Sequence, residues 1–312
     1  MLGFVLVLLS SGFFCIQNVV VRILFAEQQL VGIGLTGGFL EPTLHNSFLL
    51  LLLRMLLAVP LMGLLATRLH SAIWRETRHL LRAQGDRRAA IHAVVGGVLM
   101  FTYLGLLYVA IGLIATAIAL TLFFTFPIFT ALFSWRCFGQ APTTEQWPIM
   151  GCILLGSALT IPPAQWAGGG SWWGAAFGVM SGIAYAGYTV NAQKSFDYLN
   201  PLTYTWVSFV LTLLLSAICL MVWPIENIRL LAWGPIWIGS LVSGIVTFLG
   251  HMLYNTGIKH VGATLAAMIG AANPALTVVL AWVAIRELLT AVQLLGVSVV
   301  TVSVATLGRF KQ

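Results

Sequence analysis

Charged side chains are scarce in this chain. Only 7% of its 312 residues are Asp, Glu, Lys or Arg, whereas 60% are hydrophobic. A soluble domain carries about 25% charged residues. So few charges cannot cover a surface that faces water, and the mean hydropathy is +0.98. The composition therefore excludes a soluble globular protein and predicts an integral membrane protein.

Motifs for catalysis, metal binding and nucleic-acid binding are missing as well. The sequence has no Gly-rich phosphate loop, no metal-ligand cluster and no aspartate-rich motif of a lipid-modifying enzyme. Its net charge of +7 lies in loops beside apolar segments, so it does not indicate a nucleic-acid partner. Cys15, Cys137, Cys152 and Cys219 lie in or beside apolar segments without metal-ligand spacing. We therefore predict no enzyme activity, catalytic residue, cofactor, metal or nucleic-acid partner.

Long apolar stretches dominate the sequence. A transmembrane helix needs about 20 mostly apolar residues. The first stretch lacks a basic start and is too long for a cleavable signal, so it is the first predicted span. The predicted spans are 2–25, 47–66, 91–110, 113–135, 147–163, 172–193, 202–223, 235–256, 262–284 and 291–308.

The basic residues are distributed unevenly between the two sides of these spans. Loops on the cytoplasmic side of the membrane usually carry more Lys and Arg. With a cytoplasmic N-terminus, Arg22, Arg54, Arg229 and Arg286 belong to the outer side, which leaves eleven of the fifteen basic residues inside (15 − 4 = 11). We therefore predict a multi-pass protein of the plasma or inner membrane with both termini in the cytoplasm.

Two stretches of the chain resemble each other. A shift of 147 residues (274 − 127 = 147) places the first stretch, 115–160, on the second, 262–307. Each consists of an apolar helix broken near its middle by proline, a short polar turn and a second apolar helix. The shift aligns Pro127 with Pro274, Thr130 with Thr277, Trp135 with Trp282, Thr143 with Thr290 and Gln146 with Gln293.

The paired prolines, Pro127 and Pro274, point to transport. Proline kinks a helix, and a bilayer tolerates the freed carbonyl only where protein or water satisfies it. Interrupted helices at corresponding places in two halves indicate a transporter's binding site. The alternative is a pair of kinked packing helices without transport.

Five spans fall in each half, and five is an odd number, so the second half is inserted upside down. The predicted fold is an all-α integral membrane protein with ten transmembrane helices in two inverted five-helix repeats. The first repeat covers 1–162, an outer linker with three glycines covers 163–171, and the second repeat covers 172–312.

Two longer loops interrupt the spans. The 26–46 loop contains Gly32, Gly34, Gly37, Gly38 and Pro42, and it predicts an irregular outer flap. The 67–90 loop carries several arginines among apolar residues. It suits either a short amphipathic helix at the anionic leaflet or a plain determinant of topology, and we favour the second interpretation.

The chain resembles the drug/metabolite transporter superfamily, specifically the ten-helix carriers with two EamA domains. The resemblance rests on Pro127 and Pro274, on Arg54 within Leu52–Ala58 and on Glu287 at the end of the broken helix. At the position equivalent to Glu287 the first half has Gln140, which departs from the family's usual glutamate. The resemblance implies transport of small metabolites, which include amino acids and drugs in this family.

Polar and aromatic residues inside the predicted spans are candidates for a substrate cavity. Thr247, His251 and Tyr254 have the i, i+4, i+7 spacing of one helix face, and Tyr185 and Tyr188 share another. Such groups should point inward, towards either substrate or other helices. The full candidate set is Gln17, Asn18, Thr121, Thr125, Tyr185, Tyr188, Asn191, Thr247, His251, Tyr254 and Asn273.

Ionisable groups are almost absent from the predicted spans, which contain no Asp or Glu. This absence argues for facilitated movement or exchange rather than for ion coupling through a carboxylate. His251 could titrate near neutral pH or serve as a neutral hydrogen-bonding group. Arg54 either extends to the outer interface or binds a carboxylate, and we favour the first interpretation.

These features predict a secondary transporter for a small amino acid-like or amphipathic metabolite, working by alternating access. Its partners are then this substrate and membrane lipid, and the sequence leaves the oligomeric state open. The alternatives are a non-transporting scaffold or sensor, and a carrier of a phosphorylated or nucleotide-sugar substrate.

The predicted orientation can be tested by cysteine labelling of intact cells. A membrane-impermeant maleimide added outside should react with cysteines introduced at 30–40 and 168–170 and should not react with cysteines at 75–88. The parent chain, with its own four cysteines, gives the background signal. Labelling of the 75–88 loop in intact cells would overturn the orientation.

Overall fold

The computed structural model describes residues 1–30, 34–41, 43–69, 72–81, 87–114, 116–139, 141–161, 171–223, 231–285 and 290–307. Gln140 and Glu287, Gly32 and Pro42, and nearly all of the predicted linker lie outside these ranges. The helices are α1 (Leu2–Phe25), α2 (Leu44–Leu69), α3 (Ile73–Leu81), α4 (Arg87–Leu113), α5 (Thr116–Phe123), α6 (Phe126–Phe138), α7 (Gln146–Leu159), α8 (Trp172–Ser195), α9 (Pro201–Val222), α10 (Trp233–Val261), α11 (Ala263–Gly270), α12 (Asn273–Ile285) and α13 (Ala291–Leu307).

The structure confirms an α-helical membrane protein. Within the described residues, 7 apolar stretches are long enough to cross a membrane, and α7 and α13 are shorter apolar helices. The helix α8 has 24 residues, as many as α1, but it is richer in glycine and polar residues and is not among the seven. The seven are Leu2–Phe25, Leu44–Leu65, Arg87–Leu113, Ile118–Phe138, Pro201–Val222, Trp233–Val261 and Ala263–Leu280.

The two related stretches are interrupted at corresponding residues. The first break lies between α5 and α6, just before Pro127, and the second lies between α11 and α12, just before Pro274. The residues that begin and end α5 and α6 differ by 147 from those of α11 and α12 (263 − 116 = 147; 273 − 126 = 147). Each proline lies in the first turn of the second half-helix, where an N–H has no helical partner to lose.

The caps of the following helices are also equivalent. The Gln146 side chain accepts a hydrogen bond from the backbone N–H of Thr143 at 3.0 Å. The Gln293 side chain accepts the same bond from Thr290, also at 3.0 Å. The shift of 147 relates these pairs as well, so the sequence similarity extends to local geometry (290 − 143 = 147).

Two antiparallel helix pairs make the most extensive helix contacts in the bundle. The helix α1 packs along α10, and α4 packs along α8. Glycines bring each pair close together: Gly250 lies against Phe14 of α1, and Gly174 lies against Leu113 and Ile114 near the α4 end. In a membrane, small residues permit such close approach. Ser181 adds a polar contact, because its hydroxyl donates to the Tyr103 carbonyl at 2.7 Å.

The prediction of an irregular flap at 26–46 was wrong. The strands β1 (Glu27–Leu30) and β2 (Gly34–Gly37) form an antiparallel hairpin in which Glu27 pairs with Gly37. Gly34 and Gly37 have φ of 93° and 123°, which glycine adopts without steric cost. The glycines that indicated irregular backbone therefore shape the ends of a strand. We call this side of the bundle the hairpin end.

Part of the 67–90 loop is helical, so the less favoured amphipathic interpretation describes α3. Its apolar side packs on the bundle, with Ile73 buried and Trp74 at 5.1 Å from Trp206 in an edge-on arrangement. On the polar side, the Thr203 hydroxyl donates to the Glu76 carboxylate. The helix α3 is thus anchored to α9, and whether it contacts lipid headgroups stays a prediction.

The crossing of α7 and α13 gives a stability prediction. A Cβ at Gly296 would lie 2.6 Å from the Gly156 carbonyl oxygen, and this backbone cannot rotate away. We expect Gly296→Ala to lower the free energy of unfolding by about 1–3 kcal/mol, because overpacking separates the helices. The measurement is thermal unfolding of detergent-purified protein followed by tryptophan fluorescence.

Gly151→Ala on α7 is the matched control, since a Cβ there meets nothing within 4 Å. Both variants gain the same helix propensity, so only the crossing distinguishes them. Equal midpoints for the two variants would contradict the described packing.

Candidate functional site

A narrow polar crevice lies towards the hairpin end, between α1, α2, α4 and α10. Its cavity volume is about 10 Å³, which is room for about one water molecule. The polar part of its lining consists of Gln17, Ser47, Arg54, Tyr108, Ser240 and Ser243, and the apolar part consists of Val21, Leu24, Phe25 and Leu50. We call this site the polar crevice.

Arg54 is the central residue of the polar crevice. Its side chain is only 6% exposed, so the interpretation that it extends to the interface was wrong. Its Nη2 donates to the Tyr108 hydroxyl at 3.0 Å. In the orientation that gives both ends of the Gln17 amide a partner, its oxygen accepts from Arg54 Nη1 at 2.7 Å and its nitrogen donates to the Thr247 hydroxyl at 3.0 Å. Arg54 is thus held by neutral groups, and its Nε has no hydrogen-bond partner among the described residues.

The position of Arg54 follows from the packing of α2. The residue lies ten positions after Leu44, about 15 Å along the helix at 1.5 Å per residue. At the same level α2 touches α10 at Gly244, where a Cβ would come within 3.2 Å of the Arg54 carbonyl oxygen. This glycine lets the two backbones approach, which brings the guanidinium beside Ser243 of the same helix.

An apolar layer closes the hairpin end above the polar crevice. Leu24, Leu40, Leu49, Leu50, Leu53 and Ile236 form a buried cluster there. The backbone N–H of Leu40, just after the hairpin, donates to the Leu24 carbonyl at 3.0 Å. The hairpin is thus tied to the end of α1, next to the crevice.

Aromatic rings fill the bundle beyond the polar crevice. Tyr185 is surrounded by Phe126 at 4.7 Å, Tyr103 at 4.8 Å, Phe123 at 5.3 Å and Tyr254 at 6.0 Å between ring centroids. Rings at these separations and angles attract each other beyond their burial. We call the rings of Phe14, Tyr103, Phe123, Phe126, Tyr185, Tyr188 and Tyr254 the aromatic cluster.

His251 lies inside the bundle and not against lipid. It is 5% exposed, and its ring lies edge-on to Phe14 at 4.9 Å and to Phe209 at 5.5 Å. Within the described part of the chain, its Nδ1 has no hydrogen-bond partner. Thr247, His251 and Tyr254 are all buried on α10, and Thr247 reaches Gln17. The predicted face therefore connects the polar crevice with the aromatic cluster.

A second polar group lies at the break before α12. The Asn18 amide donates to the Asn273 side-chain oxygen at 3.1 Å and to the Thr277 hydroxyl at 3.2 Å. These bonds join α1 to the first turn of the half-helix that contains Pro274. They serve packing at the break, as buried polar groups in a membrane require.

Among the described residues, the remaining predicted ones make no direct side-chain hydrogen bond to the polar crevice or the aromatic cluster. Thr121 and Thr125 are half-buried on and beside α5, and the Thr125 hydroxyl donates to the Leu122 carbonyl at 2.7 Å. Asn191 reaches the aromatic cluster only indirectly: its amide donates to the His92 carbonyl at 2.8 Å and to the Tyr204 hydroxyl at 3.1 Å, and this hydroxyl donates to the Tyr188 carbonyl at 3.4 Å. The structure therefore brings together most of the predicted set, but not all of it.

Several residues of the site were not among the predicted cavity residues. Ser243 lies one helical turn before Thr247, so extending the predicted face would have found it. Tyr108 falls near Tyr254 when the two halves are aligned. Asn255, which donates to the Tyr188 hydroxyl at 2.8 Å, lies just beyond the predicted face. Within the described residues, no group of three or more metal-ligating side chains occurs.

Comparison with known proteins identifies the family. A model of the EamA-like transporter family matches residues 172–309. A protein named "Uncharacterized transporter sll1319", from Synechocystis sp., is 51% identical over 313 residues, covering 99% of this chain and 93% of that protein. A solved crystal structure has the same fold, with a TM-score of 0.70 at 15% identity over 100% of this chain and 98% of the other.

Identity of this extent over almost the whole of both chains establishes common membership of one family. The long apolar helices agree with it, as does the break before each paired proline. The chain therefore belongs to the EamA-like transporter family of the drug/metabolite transporter superfamily, and it is a multi-pass membrane transporter and not an enzyme.

Proposed function

We propose that the protein is a secondary carrier that moves a small amino acid-like or amphipathic metabolite across the cell membrane by alternating access. The observation that carries this proposal is the buried face of α10, on which Thr247, His251 and Tyr254 connect the polar crevice with the aromatic cluster. Small-molecule sites in proteins are mostly apolar or aromatic with a few placed polar groups.

The helix contacts support ten spans in two inverted repeats, comprising residues 1–162 and 172–312. Exchanging the proposed halves turns the α1–α10 contact into α8–α4, α2–α10 into α9–α4, and α1–α12 into α8–α6. All six of these contacts occur, and α2–α9 and α7–α13 exchange with themselves. An approximate two-fold axis has this consequence, and carriers with such an axis open alternately by rocking one half against the other.

The packed layers on either side of the polar crevice support a gated pathway. The polar crevice has room for about one water molecule in this conformation, far below the roughly 300 Å³ at which ligand pockets begin. The leucine-rich layer covers it at the hairpin end, and the aromatic cluster lies on its other side. Access to substrate then needs a movement of one of these layers.

The charge distribution supports the orientation with both termini in the cytoplasm. Four arginines lie on the segment that joins α2 to the apolar part of α4, outside the apolar bundle. They are Arg75 and Arg78 on α3, and Arg87 and Arg88 at the start of α4. This basic segment favours the cytoplasmic side, where anionic lipid is the natural partner. The hairpin end then faces outward.

The two alternatives have less support. A non-transporting scaffold or sensor needs no buried polar face between its halves. A phosphorylated or nucleotide-sugar substrate needs several basic groups in the interior, whereas Arg54 is the one buried Lys or Arg among the described residues.

A metabolite-resolved comparison tests the proposed function. Uptake and efflux are measured by mass spectrometry in otherwise identical cells with and without the protein. We expect the distribution of one or a few small amphipathic metabolites to depend on the protein. Unchanged distributions in both directions, with the protein present in the membrane, would contradict a carrier.

The proline at the second break gives a variant prediction. Pro274→Ala restores a backbone donor and favours a continuous helix, so the break and its polar contacts should weaken. We expect transport of the identified metabolite to fall several-fold while membrane-inserted protein stays near the wild-type amount. Pro60→Ala is the matched control, because Pro60 lies on the exposed side of α2. If Pro274→Ala transports normally, this proline has only a packing role.

His251 gives a second variant prediction. His251→Ala removes a donor and an acceptor from the proposed lining. We expect the apparent KM for the transported metabolite to rise about fivefold, the value of one hydrogen bond, with a smaller change in protein yield. His260→Ala, at an exposed position of the same helix, is the control. Unchanged kinetics at every pH would return His251 to a role in helix packing.

A further inference from the structure

Arg54 has no counter-charge in the described part of the chain. Among the described Asp, Glu, Lys and Arg residues, Arg54 alone has a buried side chain. Of the described acidic residues, Glu27, Glu41, Glu145 and Asp197 are exposed, and Glu76 is held by Thr203 at the other end of the bundle. An unpaired charge is costly to bury inside a membrane protein.

The protein contacts of Arg54 leave part of its guanidinium unused. Nη2 donates to the Tyr108 hydroxyl and Nη1 donates to the Gln17 oxygen, which occupies two of five N–H groups. Nε is buried, and none of the residues that the structure describes is its hydrogen-bond partner. The neutral partners fix the orientation of the planar group but do not neutralise its charge. A carboxylate matches such a fixed group, because two parallel N–H···O bonds can form.

The lining of the polar crevice has the chemical character that an amphipathic anion needs, and the crevice must open to admit one. Leu50 lies one helical turn before Arg54 on α2, and Val21 and Leu24 lie one and two turns after Gln17 on α1. A carboxylate at Arg54 would therefore have an apolar surface beside it for a hydrocarbon substituent. A phosphate group, with higher charge, would find a single cation here.

We propose that Arg54 is the carboxylate-recognition residue of this carrier and that the transported substrate is an amphipathic carboxylate. This inference rests on the proposed function and names the chemical class of its substrate. Tyr108 and Gln17 are positioning residues, since they orient the guanidinium. The substrate's negative charge offsets the buried positive charge, so binding itself removes the electrostatic cost of Arg54.

The first experiment is the metabolite comparison repeated with variants. Cells produce the wild type, Arg54→Gln, Arg54→Lys or Tyr108→Phe. We expect every metabolite whose distribution changes with the wild-type protein to carry a carboxylate. Transport of these metabolites should fall about tenfold or more in Arg54→Gln. Arg54→Lys keeps the charge without the planar fork and should be intermediate. Tyr108→Phe should reduce transport by less than Arg54→Gln does.

The second experiment measures binding within each variant, so it does not depend on protein amount. Thermal unfolding of the purified protein is recorded with L-leucine or L-leucinamide and with L-phenylalanine or L-phenylalaninamide at equal concentrations. We expect the acids to raise the wild-type midpoint more than the amides. This difference should disappear in Arg54→Gln and should remain, reduced, in Tyr108→Phe.

The outcomes separate this inference from the proposed function. Wild-type-dependent metabolites without a carboxylate, or carboxylates whose transport Arg54→Gln leaves unchanged, would overturn the role of Arg54 while the carrier stands. Amides that stabilise the wild type as well as the acids do would overturn it too. The absence of any dependent metabolite would instead contradict the carrier itself.

Discussion

Polar groups inside a bilayer must find their partners within the protein, and this constraint accounts for most of the structure. It explains why the breaks before Pro127 and Pro274 are enclosed by other helices, and why Asn18 bridges α1 to the start of α12. It also explains the position of Gln17, whose amide joins α1 to Thr247 on α10. Several buried polar groups still lack a partner among the described residues, and Arg54 is the charged one: its Nε is unpartnered, and the described residues do not balance its charge. In our account, the substrate supplies hydrogen-bond acceptors and a balancing negative charge to Arg54.

The bundle connects that incomplete site with the rest of the molecule. Close packing at Gly244 and Gly250 holds α2 and α1 against α10, so the polar crevice and the aromatic cluster share one helix. A movement of α10 relative to α1 would therefore change both at once. Rocking of the two halves would act on these contacts, since α1 and α10 belong to different proposed repeats. This arrangement would provide a physical link between the proposed substrate binding at Arg54 and the proposed opening and closing of the pathway.

Much of the fold could be predicted from the sequence, because hydropathy and a repeated pattern with proline constrain it strongly. The shift of 147 predicted two related broken helices, and the helices begin and end at residues with that spacing. The hairpin at 27–37 was missed, since its glycines fit a loop as well as the ends of a strand. The face of Thr247, His251 and Tyr254 follows from helical periodicity alone. Arg54 and Asn191 could not be placed in this way, because their partners, Tyr108 and His92, lie on a different helix far away in sequence.

Tracer counterflow with purified protein in liposomes tests the central claim, transport by alternating access, most directly. Liposomes are loaded with the unlabelled metabolite that the cell comparison identifies, and the labelled metabolite is added outside. A carrier with one site open to either side in turn predicts that label accumulates transiently inside above its equilibrium level. Equilibration without this overshoot, or no entry of label beyond that into protein-free liposomes, would contradict the account.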